Sequence, residues 1–327
     1  MTKVLNVIYQ SDDFYILASA ASITSLLMNN QHFDQINIYY LGYELSDDSI
    51  TKLNHLTNQY QNATLFFVDT KIKGYNDIFV NLPGARAWND RYITWFKLLA
   101  FGEFDFSTDR VLYLNPHTIV TGVLDDLLEI DFQNNIFALS YDCLIESHKK
   151  QIGLDYQYGY YNCGVMLVNV EKWQKENLTA FCLDNLKEDH HYVIVDQDFC
   201  NIVFKGQIKL LGPEYNYSSA YYAYHLKRLL KDNHLTSENY YSYAELMAER
   251  FEPKIIHSSF GLTGKPWETG NEHPNGYLWD KYIKLSPWKN VERPVAKKSL
   301  GWQLYKILPN WLFMSLYHMM IKRNFGA

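Results

Sequence analysis

Length, composition and charge limit the classes of protein to which this chain can belong. It has 327 residues, of which 47% are hydrophobic, so it can bury a substantial core as one large or two medium domains. Its 36 acidic and 30 basic side chains give a formal net charge of -6, which argues against a general polyanion binder, and we expect no nucleic-acid partner. The four cysteines form no CxxC pair and are too few to brace so long a chain. A reducing cytoplasm is the simpler expectation.

Two segments of the chain indicate where in the cell the protein is expected. The first 13 residues pass from a single lysine into a short aliphatic run, without the apolar region or the cleavage site of a signal peptide. Near the other end, the apolar stretch 300–321 is interrupted by Lys306 and Pro309, so it does not predict a membrane-spanning helix. We therefore expect a protein that stays inside the cell.

Strands and helices are predicted to alternate along the chain. Apolar runs rich in β-branched residues predict strands at 4–9, 36–41, 64–68, 110–114, 137–141, 164–170 and 254–256. Helical spacing of apolar residues predicts helices at 15–28, 46–60, 92–104 and 196–204. This alternation is typical of an α/β fold with a mostly parallel sheet flanked by helices, in which ligands bind at the carboxyl ends of the strands.

The chain contains no internal repeat and no low-complexity tract, so its organisation is simple. We expect one domain over residues 1–268, a linker over 269–288 and a separate tail over 289–327. The tail holds seven basic side chains and one acidic side chain, a net charge of +6, which leaves -12 for the rest of the chain.

Five sequence blocks carry a resemblance to a known family: NVIYQSDDFY, RVLYLNPHTIV, YYNCGVMLVNVEKW, VDQDFCN and IIHSSFGLTGKPW. In this order and spacing, from about residue 4 to residue 267, the chain resembles glycosyltransferase family 8, the retaining nucleotide-sugar transferases of the GT-A fold. It is most similar to bacterial members that extend lipopolysaccharide or other surface glycans. The resemblance implies a Rossmann-like mixed sheet, a UDP-hexose donor and a glycan acceptor.

The resemblance also implies residues that bind the nucleotide and the diphosphate. Asp12 matches an acid that binds the uracil or ribose of UDP, and an N-cap for the following helix is its plainer alternative. Lys97 replaces an arginine that contacts phosphate and sugar; it keeps the charge but loses the bidentate fork, and a solvated surface lysine is the alternative. Gly264 and Lys265 lie where the family chain wraps the phosphates.

Four further side chains match groups that hold the donor hexose: Asp142, Asn162, Asp196 and Gln197. Acids and amides that converge on a cleft complement hydroxyl groups, which both donate and accept hydrogen bonds. Gln197 matches the residue beneath the anomeric carbon, and with Asp196 it is the expected catalytic pair. For Asp196 and Asn162, side chains that only satisfy nearby loops are the alternative.

The metal motif is where the chain departs from the family. Family members hold a divalent cation, usually Mn2+, with two aspartates and a later histidine, and the cation neutralises the departing diphosphate. Here these positions read Asn115, His117 and His257. Loss of two carboxylates predicts weaker manganese binding. Three explanations stay open: a variant metal site, catalysis in which Lys97 and Lys265 neutralise the diphosphate, or loss of catalysis.

Aromatic residues suggest two further surfaces. Tyr221 and Tyr222, with Tyr224 beside them, precede a basic HLKR and are candidate platforms for acceptor sugar rings, although half-buried packing is the commoner use of such tyrosines. In the tail, aromatic and basic residues interleave, which predicts a helix or a helical hairpin divided near Pro309 that lies on an anionic membrane. Packing on the protein's own domain or in a homodimer interface is the alternative.

The hypothesis is therefore a hexosyltransferase that is peripheral on the inner face of the cell membrane. It moves glucose or galactose from a UDP-sugar to a growing surface glycan with retention of configuration. The alternative is a non-catalytic sugar-nucleotide or glycan-binding subunit that scaffolds an active transferase.

Overall fold

A computed structural model describes residues 2–325 except residues 89, 145, 191 and 260. The strands are β1 Val4–Ser11, β2 Gln35–Gly42, β3 Ala63–Asp69, β4 Arg110–Leu114, β5 Thr118–Val120, β6 Phe137–Tyr141, β7 Tyr161–Asn169, β8 Ile208–Leu210, β9 Tyr217–Ser218 and β10 Ile255–His257. The helices are α1 Ile16–Asn29, α2 Asp47–Thr57, α3 Tyr75–Val80, α4 Phe96–Glu103, α5 Ser147–Gln151, α6 Val170–Lys175, α7 Leu178–Asn185, α8 Val195–Val203, α9 Ala220–Ala223, α10 Leu226–Asp232, α11 Tyr243–Ala248, α12 Gly276–Lys284, α13 Leu300–Ile307 and α14 Asn310–Phe325.

The larger sheet has seven strands in the order β3-β2-β1-β4-β7-β6-β8. All neighbouring pairs are parallel except those of β7, which runs antiparallel to β4 and β6. This arrangement confirms the predicted mixed, mostly parallel α/β sheet. The chain moves outward from β1 to β3 and then returns to place β4 on the other side of β1, so the strand order reverses between β1 and β4. A crevice at the carboxyl ends of strands is expected at such a point.

Both faces of the sheet are covered, and the side chains of each strand point alternately to one face and to the other. In β1, Val7 and Tyr9 belong to the core cluster formed with α1, whereas Ile8 belongs to the cluster formed with α4 and α8. All three side chains are buried. Strands buried on both faces read as continuous apolar runs, which is why this sheet was predictable from the sequence.

A second, smaller sheet in the order β5-β10-β9 supports the other side of the crevice. β10 is antiparallel to β5 and parallel to β9, and His257 lies opposite Thr118 and Ser218. The pairing brings the end of β10 next to the turn that follows β4, although almost 140 residues separate them in the chain.

Local signals account for several boundaries. Ser46 caps α2, since its side chain accepts a hydrogen bond from the backbone N–H of Ser49. The predicted helix at 92–104 is a short 3-10 turn over Ile93–Trp95 that continues into α4. After β4, the Thr118 N–H donates to the carbonyl oxygen of Asn115, which closes the turn around Pro116.

The segment 269–288 was expected to be a linker, and the structure corrects this. It contains α12, whose Trp279, Tyr282 and Ile283 are buried in the core cluster of α1. The Asn29 side chain also donates a hydrogen bond to the Tyr282 hydroxyl, at 3.0 Å. Apolar residues at helical spacing in this segment explain the packing.

The tail forms α13 and α14, and Pro309 lies between them as predicted. Both helices pack on the domain: Phe313 and Met314 are buried in the cluster of α9, α10 and α11, and the Tyr305 hydroxyl donates to the Ala223 carbonyl at 2.7 Å. The part of the chain that the structure describes has no helix long and apolar enough to cross a membrane.

Candidate functional site

A cavity of about 690 Å3 opens where the strand order reverses, at the carboxyl ends of β1 and β4. Parallel strands that end at one edge bring together residues that are far apart in sequence. The predicted residues that line the cavity are Asp12, Lys97, Asn115, His117, Asp142, Asn162, Asp196, Gln197 and His257. Of the thirteen predicted positions, Gly264, Lys265, Tyr221 and Tyr222 do not line it.

Asp12 lies at the end of β1, with 6% of its surface exposed. One carboxylate oxygen accepts a hydrogen bond from the Tyr15 N–H at 3.3 Å, so Asp12 is an N-cap, as the plainer alternative held. The other oxygen forms an ion pair with the guanidinium of Arg91, which also lines the cavity. Asp12 therefore performs a capping role and still faces the cavity. Arg91 was not predicted, because no local pattern shows that its side chain reaches across to β1.

Lys97 and Asp196 form a buried ion pair at the cavity wall. Lys97 is 1% exposed, so its interpretation as a solvated surface lysine is wrong. Its ammonium group donates to the Asp196 carboxylate and to the Thr94 carbonyl oxygen, and it lies 4.5 Å from the Tyr113 ring centre. Burial has the largest single effect on the pKa of Lys97 and acts to lower it, but the Asp196 charge and the smaller effects of Tyr113, Cys200 and Cys163 together outweigh burial, so the net pKa is raised. The lysine therefore stays charged inside the protein.

Asp142, Asn162 and Gln197 form a connected polar floor. The Asn162 amide donates to Asp142 Oδ2 at 2.6 Å, and Gln197 Nε2 donates to the same oxygen at 3.0 Å. Burial raises the pKa of Asp142, although these two amide hydrogen bonds act to lower it. A half-buried acid held mainly by amides is suited to accept a hydrogen bond from a ligand hydroxyl group.

The histidine end of the cavity is connected to this floor. His257 Nδ1 lies 3.0 Å from the Asn216 side-chain oxygen, and the Asn216 amide donates to the Asn162 oxygen at 2.9 Å. Asn216 was not predicted either, since nothing in its sequence surroundings marks it. A chain of hydrogen bonds thus runs from His257 to Gln197 beneath the cavity.

His117 and His257 stack on each other, with ring centres 4.7 Å apart and an angle of 19° between the planes. Burial lowers the pKa of His117 to about 4. Burial, and to a smaller extent the neighbouring His117, lowers the pKa of His257 well below its usual range. Both imidazoles are therefore neutral near pH 7.

These side chains do not fit the manganese site that the family resemblance implies. The side-chain oxygen of Asn115 accepts a hydrogen bond from the Tyr113 hydroxyl at 2.7 Å. The NH2 group of Asn115 faces His257 Nε2 at 3.5 Å. A metal lies in the plane of an imidazole that binds it, and two nearly parallel stacked rings cannot both direct their in-plane lone pairs at one ion. Among the described residues, no three His, Cys, Asp or Glu side chains form a group that could hold a metal.

Lys265 and Gly264 lie beside the cavity. The Lys265 ammonium is 4.2 Å from the Phe14 ring centre and is also close to the rings of Tyr15 and Trp267. Burial lowers the pKa of Lys265. Gly264 has a φ of +90°, and its N–H donates to the Gly261 carbonyl, so this N–H is used within the loop.

The tyrosines predicted to contact an acceptor lie elsewhere. Tyr221 is 1% exposed, and its hydroxyl is hydrogen-bonded to that of Tyr240. The Tyr222 hydroxyl donates to the Arg250 carbonyl at 2.8 Å. Tyr224 packs on the tail, against Tyr317. The structure therefore places these tyrosines in packing, because the residues after β9 form a tyrosine-rich core.

The chain is similar to known proteins of one family. The model of the family described as Glycosyl transferase family 8 matches residues 6–270. The lipopolysaccharide 1,2-glucosyltransferase of Escherichia coli K12 is 29% identical over 304 residues, which cover 91% of this chain and 83% of that protein. The lipopolysaccharide 1,3-galactosyltransferase of Salmonella typhimurium LT2 is 24% identical over 306 residues, which cover 90% and 83%.

Solved structures show the same fold. The galactosyltransferase LgtC, in complex with donor and acceptor sugar analogs, superposes with a TM-score of 0.65 at 20% identity, over 86% of this chain and 96% of that chain. The bifunctional glycosyltransferase WbbM gives a TM-score of 0.70 at 21% identity over 88% of this chain, which spans about half of the WbbM chain, 51%. The predicted GT-A fold is thereby confirmed.

Proposed function

Because this chain belongs to glycosyl transferase family 8, as the sequence predicted, we propose that it is a hexosyltransferase. The donor is a UDP-sugar carrying glucose or galactose, and the acceptor is a hydroxyl group of a growing surface glycan, linked to lipid or to protein. The observation that carries the proposal is the polar floor of the cavity, where Asp142, Asn162 and Gln197 converge beside the buried Lys97–Asp196 pair. Two relatives are named as transferases of glucose and galactose to lipopolysaccharide, which supports this choice of sugar and acceptor.

Each group has a part in the proposed reaction. Asp142 accepts a hydrogen bond from a hexose hydroxyl, and the Lys97–Asp196 pair borders the sugar and the phosphate. Gln197 lies beneath the anomeric carbon. The acceptor oxygen attacks the face from which UDP departs, so the configuration is retained. The bond from the anomeric carbon to the phosphate oxygen breaks, and that oxygen takes the acceptor proton. No residue of the protein then needs to act as a general base.

Manganese, which the family resemblance led us to expect, has no step in this proposal. Asn115, His117 and His257 as they lie do not fit such a site. In the reaction, a cation bound with the diphosphate would neutralise the leaving group. None of these three residues neutralises the diphosphate in the proposed reaction.

Assays with a panel of UDP-sugars test the proposal. We expect turnover of UDP-glucose or UDP-galactose with a glycan acceptor, and its loss in the Asp196→Ala and Gln197→Ala variants. Gln59→Ala, at an exposed position of the surface, is the matched control and keeps the natural rate. Full activity in both cavity variants would overturn the assigned roles.

One observation favours a second candidate, a non-catalytic subunit that binds sugar nucleotides. The residues at the metal motif lack carboxylates, and this is the position where the family places two. Titration calorimetry and turnover separate the candidates: a subunit binds UDP-glucose or UDP-galactose without consuming it, whereas a transferase consumes it.

We also propose that the tail holds the protein on an anionic membrane from the cytoplasmic side. The inner faces of α13 and α14 pack on the domain, but Leu300, Ile307 and Trp311 remain 71%, 77% and 64% exposed. The basic residues of the tail lie along the same segment, and such a surface binds anionic lipid through apolar insertion and charge. A homodimer through the same surface is the alternative.

Liposome flotation with phosphatidylglycerol vesicles tests the tail. Truncation would remove the buried Phe313 and Met314, so surface substitutions are the better perturbation. We expect Ile307→Asp with Trp311→Asp to abolish flotation, and Ile72→Asp, at a residue 85% exposed on another surface, to leave it unchanged. Equal flotation of all three proteins would exclude membrane binding by this surface, and sedimentation would reveal a dimer.

A further inference from the structure

Asp198, the last acid of the VDQD block, is completely buried behind the cavity. Its Oδ2 accepts hydrogen bonds from the N–H groups of Val193 and Ile194, both at 2.7 Å. Its Oδ1 accepts from the Tyr160 hydroxyl at 2.5 Å and lies 2.8 Å from His148 Nε2. A carboxylate has about four sites for hydrogen bonds, and here all four are used within the protein. Asp198 is therefore an anchor and does not contact a substrate.

The backbone held by Asp198 leads directly into the catalytic residues. Val195 lies between Ile194 and Asp196, and it has a positive φ of +24° although it is β-branched. Such a conformation persists only when the surrounding structure holds it. The two backbone hydrogen bonds to Asp198 hold this turn at the start of α8, so they help to direct Asp196 and Gln197 into the cavity.

Tyr160 connects Asp198 to Gln197 through two hydrogen bonds of its hydroxyl group. Its hydroxyl hydrogen is donated to Asp198, so its oxygen remains as an acceptor, and Gln197 Nε2 donates to that oxygen at 3.0 Å. The same Nε2 donates to Asp142, and Gln197 Oε1 accepts from the Cys163 N–H at 3.1 Å. A flipped amide would place oxygen against two acceptors and NH2 against an N–H donor. Only one orientation of the amide is satisfied.

We propose that Tyr160 and Asp198 form a positioning pair that fixes the orientation of the Gln197 amide at the cavity floor. The inference rests on the proposed function, in which Gln197 faces the anomeric carbon. Neither residue of the pair lines the cavity, so the pair acts through Gln197. It was not found from the sequence, although both residues stand inside blocks that carry the family resemblance.

Tyr160→Phe is the direct test, because it removes the hydroxyl and keeps the ring. A buried Gln197 N–H loses its acceptor, and such a loss corresponds to roughly a 5-fold to 150-fold effect. We expect kcat to fall within this range while KM for the UDP-sugar stays within about threefold, because the groups that contact the donor remain. Tyr161→Phe is the matched control: its ring stacks on Tyr141, and it keeps the natural kcat.

A measurement independent of activity separates this inference from the proposed function. In the natural protein, the NMR signals of the Gln197 side-chain NH2 group should exchange slowly with solvent, and Tyr160→Phe should make them exchange at least tenfold faster. Unchanged exchange would overturn the positioning pair whatever the activity. If exchange changes but Gln197→Ala keeps full activity, the pair stands and the catalytic role of Gln197 fails. If Gln197→Ala is inactive while Tyr160→Phe keeps kcat within twofold, the positioning role fails alone.

Discussion

Replacing Lys97 with methionine tests whether the buried ion pair stabilises the cavity wall. Methionine keeps the length of the side chain but removes its charge. The Lys97 side chain is 2% exposed and that of Asp196 is 11% exposed, so the substitution leaves a carboxylate with little access to water. Removing one partner of a buried ion pair costs about 3–5 kcal/mol, because the remaining charge is uncompensated.

This cost converts to a change in melting temperature. An unfolding entropy of about 2.1 cal/mol/K per residue gives roughly 0.7 kcal/mol/K for this chain. Lys97→Met should therefore lower Tm by about 4–7 °C in scanning calorimetry. Lys71→Met is the matched control, because the Lys71–Glu44 pair has side chains that are 66% and 44% exposed. Exposed pairs contribute little, and we expect its Tm to change by less than about 1 °C.

A double variant identifies the source of the effect. Adding Asp196→Asn to Lys97→Met removes the stranded charge and should recover at least half of the lost stability. If Lys97→Met lowers Tm no more than Lys71→Met does, the buried ion pair does not stabilise the cavity wall. If the double variant is no more stable than Lys97→Met alone, an uncompensated Asp196 charge is not the cause of the lost stability.

Four further predictions concern the cavity. The Asn115→Asp and His117→Asp substitutions together restore carboxylates at the metal motif, so Mn2+ should strengthen UDP binding to the double variant at least tenfold in calorimetry. Mn2+ should change the UDP affinity of the natural protein by less than twofold. A larger gain in the natural protein would contradict the misfit between its side chains and manganese. Burial raises the pKa of Asp142. As pH falls, KM for the donor should therefore begin to rise at a higher pH than it would if Asp142 had the pKa of an ordinary aspartate. The raised pKa also means that ionisation of Asp142 opposes folding as pH increases, so Asp142→Asn should keep or raise Tm at pH 7 and weaken donor binding; a lower Tm would contradict this sign. In Gly164→Ala the new Cβ would overlap His257 Cε1, so the ring must move, and donor affinity should fall about tenfold in calorimetry; unchanged affinity would show that the ring position is unimportant.

Local patterns were sufficient for the main elements of the fold. Strands 110–114 and 137–141 have the bounds that their apolar runs predicted, and Ser46 caps its helix as expected. Short elements were missed, among them β8, β9 and the helices between residues 220 and 248. A strand of two or three residues has no periodicity of its own, because pairing with distant strands stabilises it.

By itself, the sequence determined the alternation of strands and helices and the resemblance to the family, and that resemblance implied nine of the residues that line the cavity. Only the tertiary structure decided what those residues do there. It buried Lys97 against Asp196, occupied the Asn115 oxygen with Tyr113, and packed Tyr221 into the core. Lys97 and Asp196, for example, are 99 residues apart in the chain, and no local pattern records that the fold brings two such groups together.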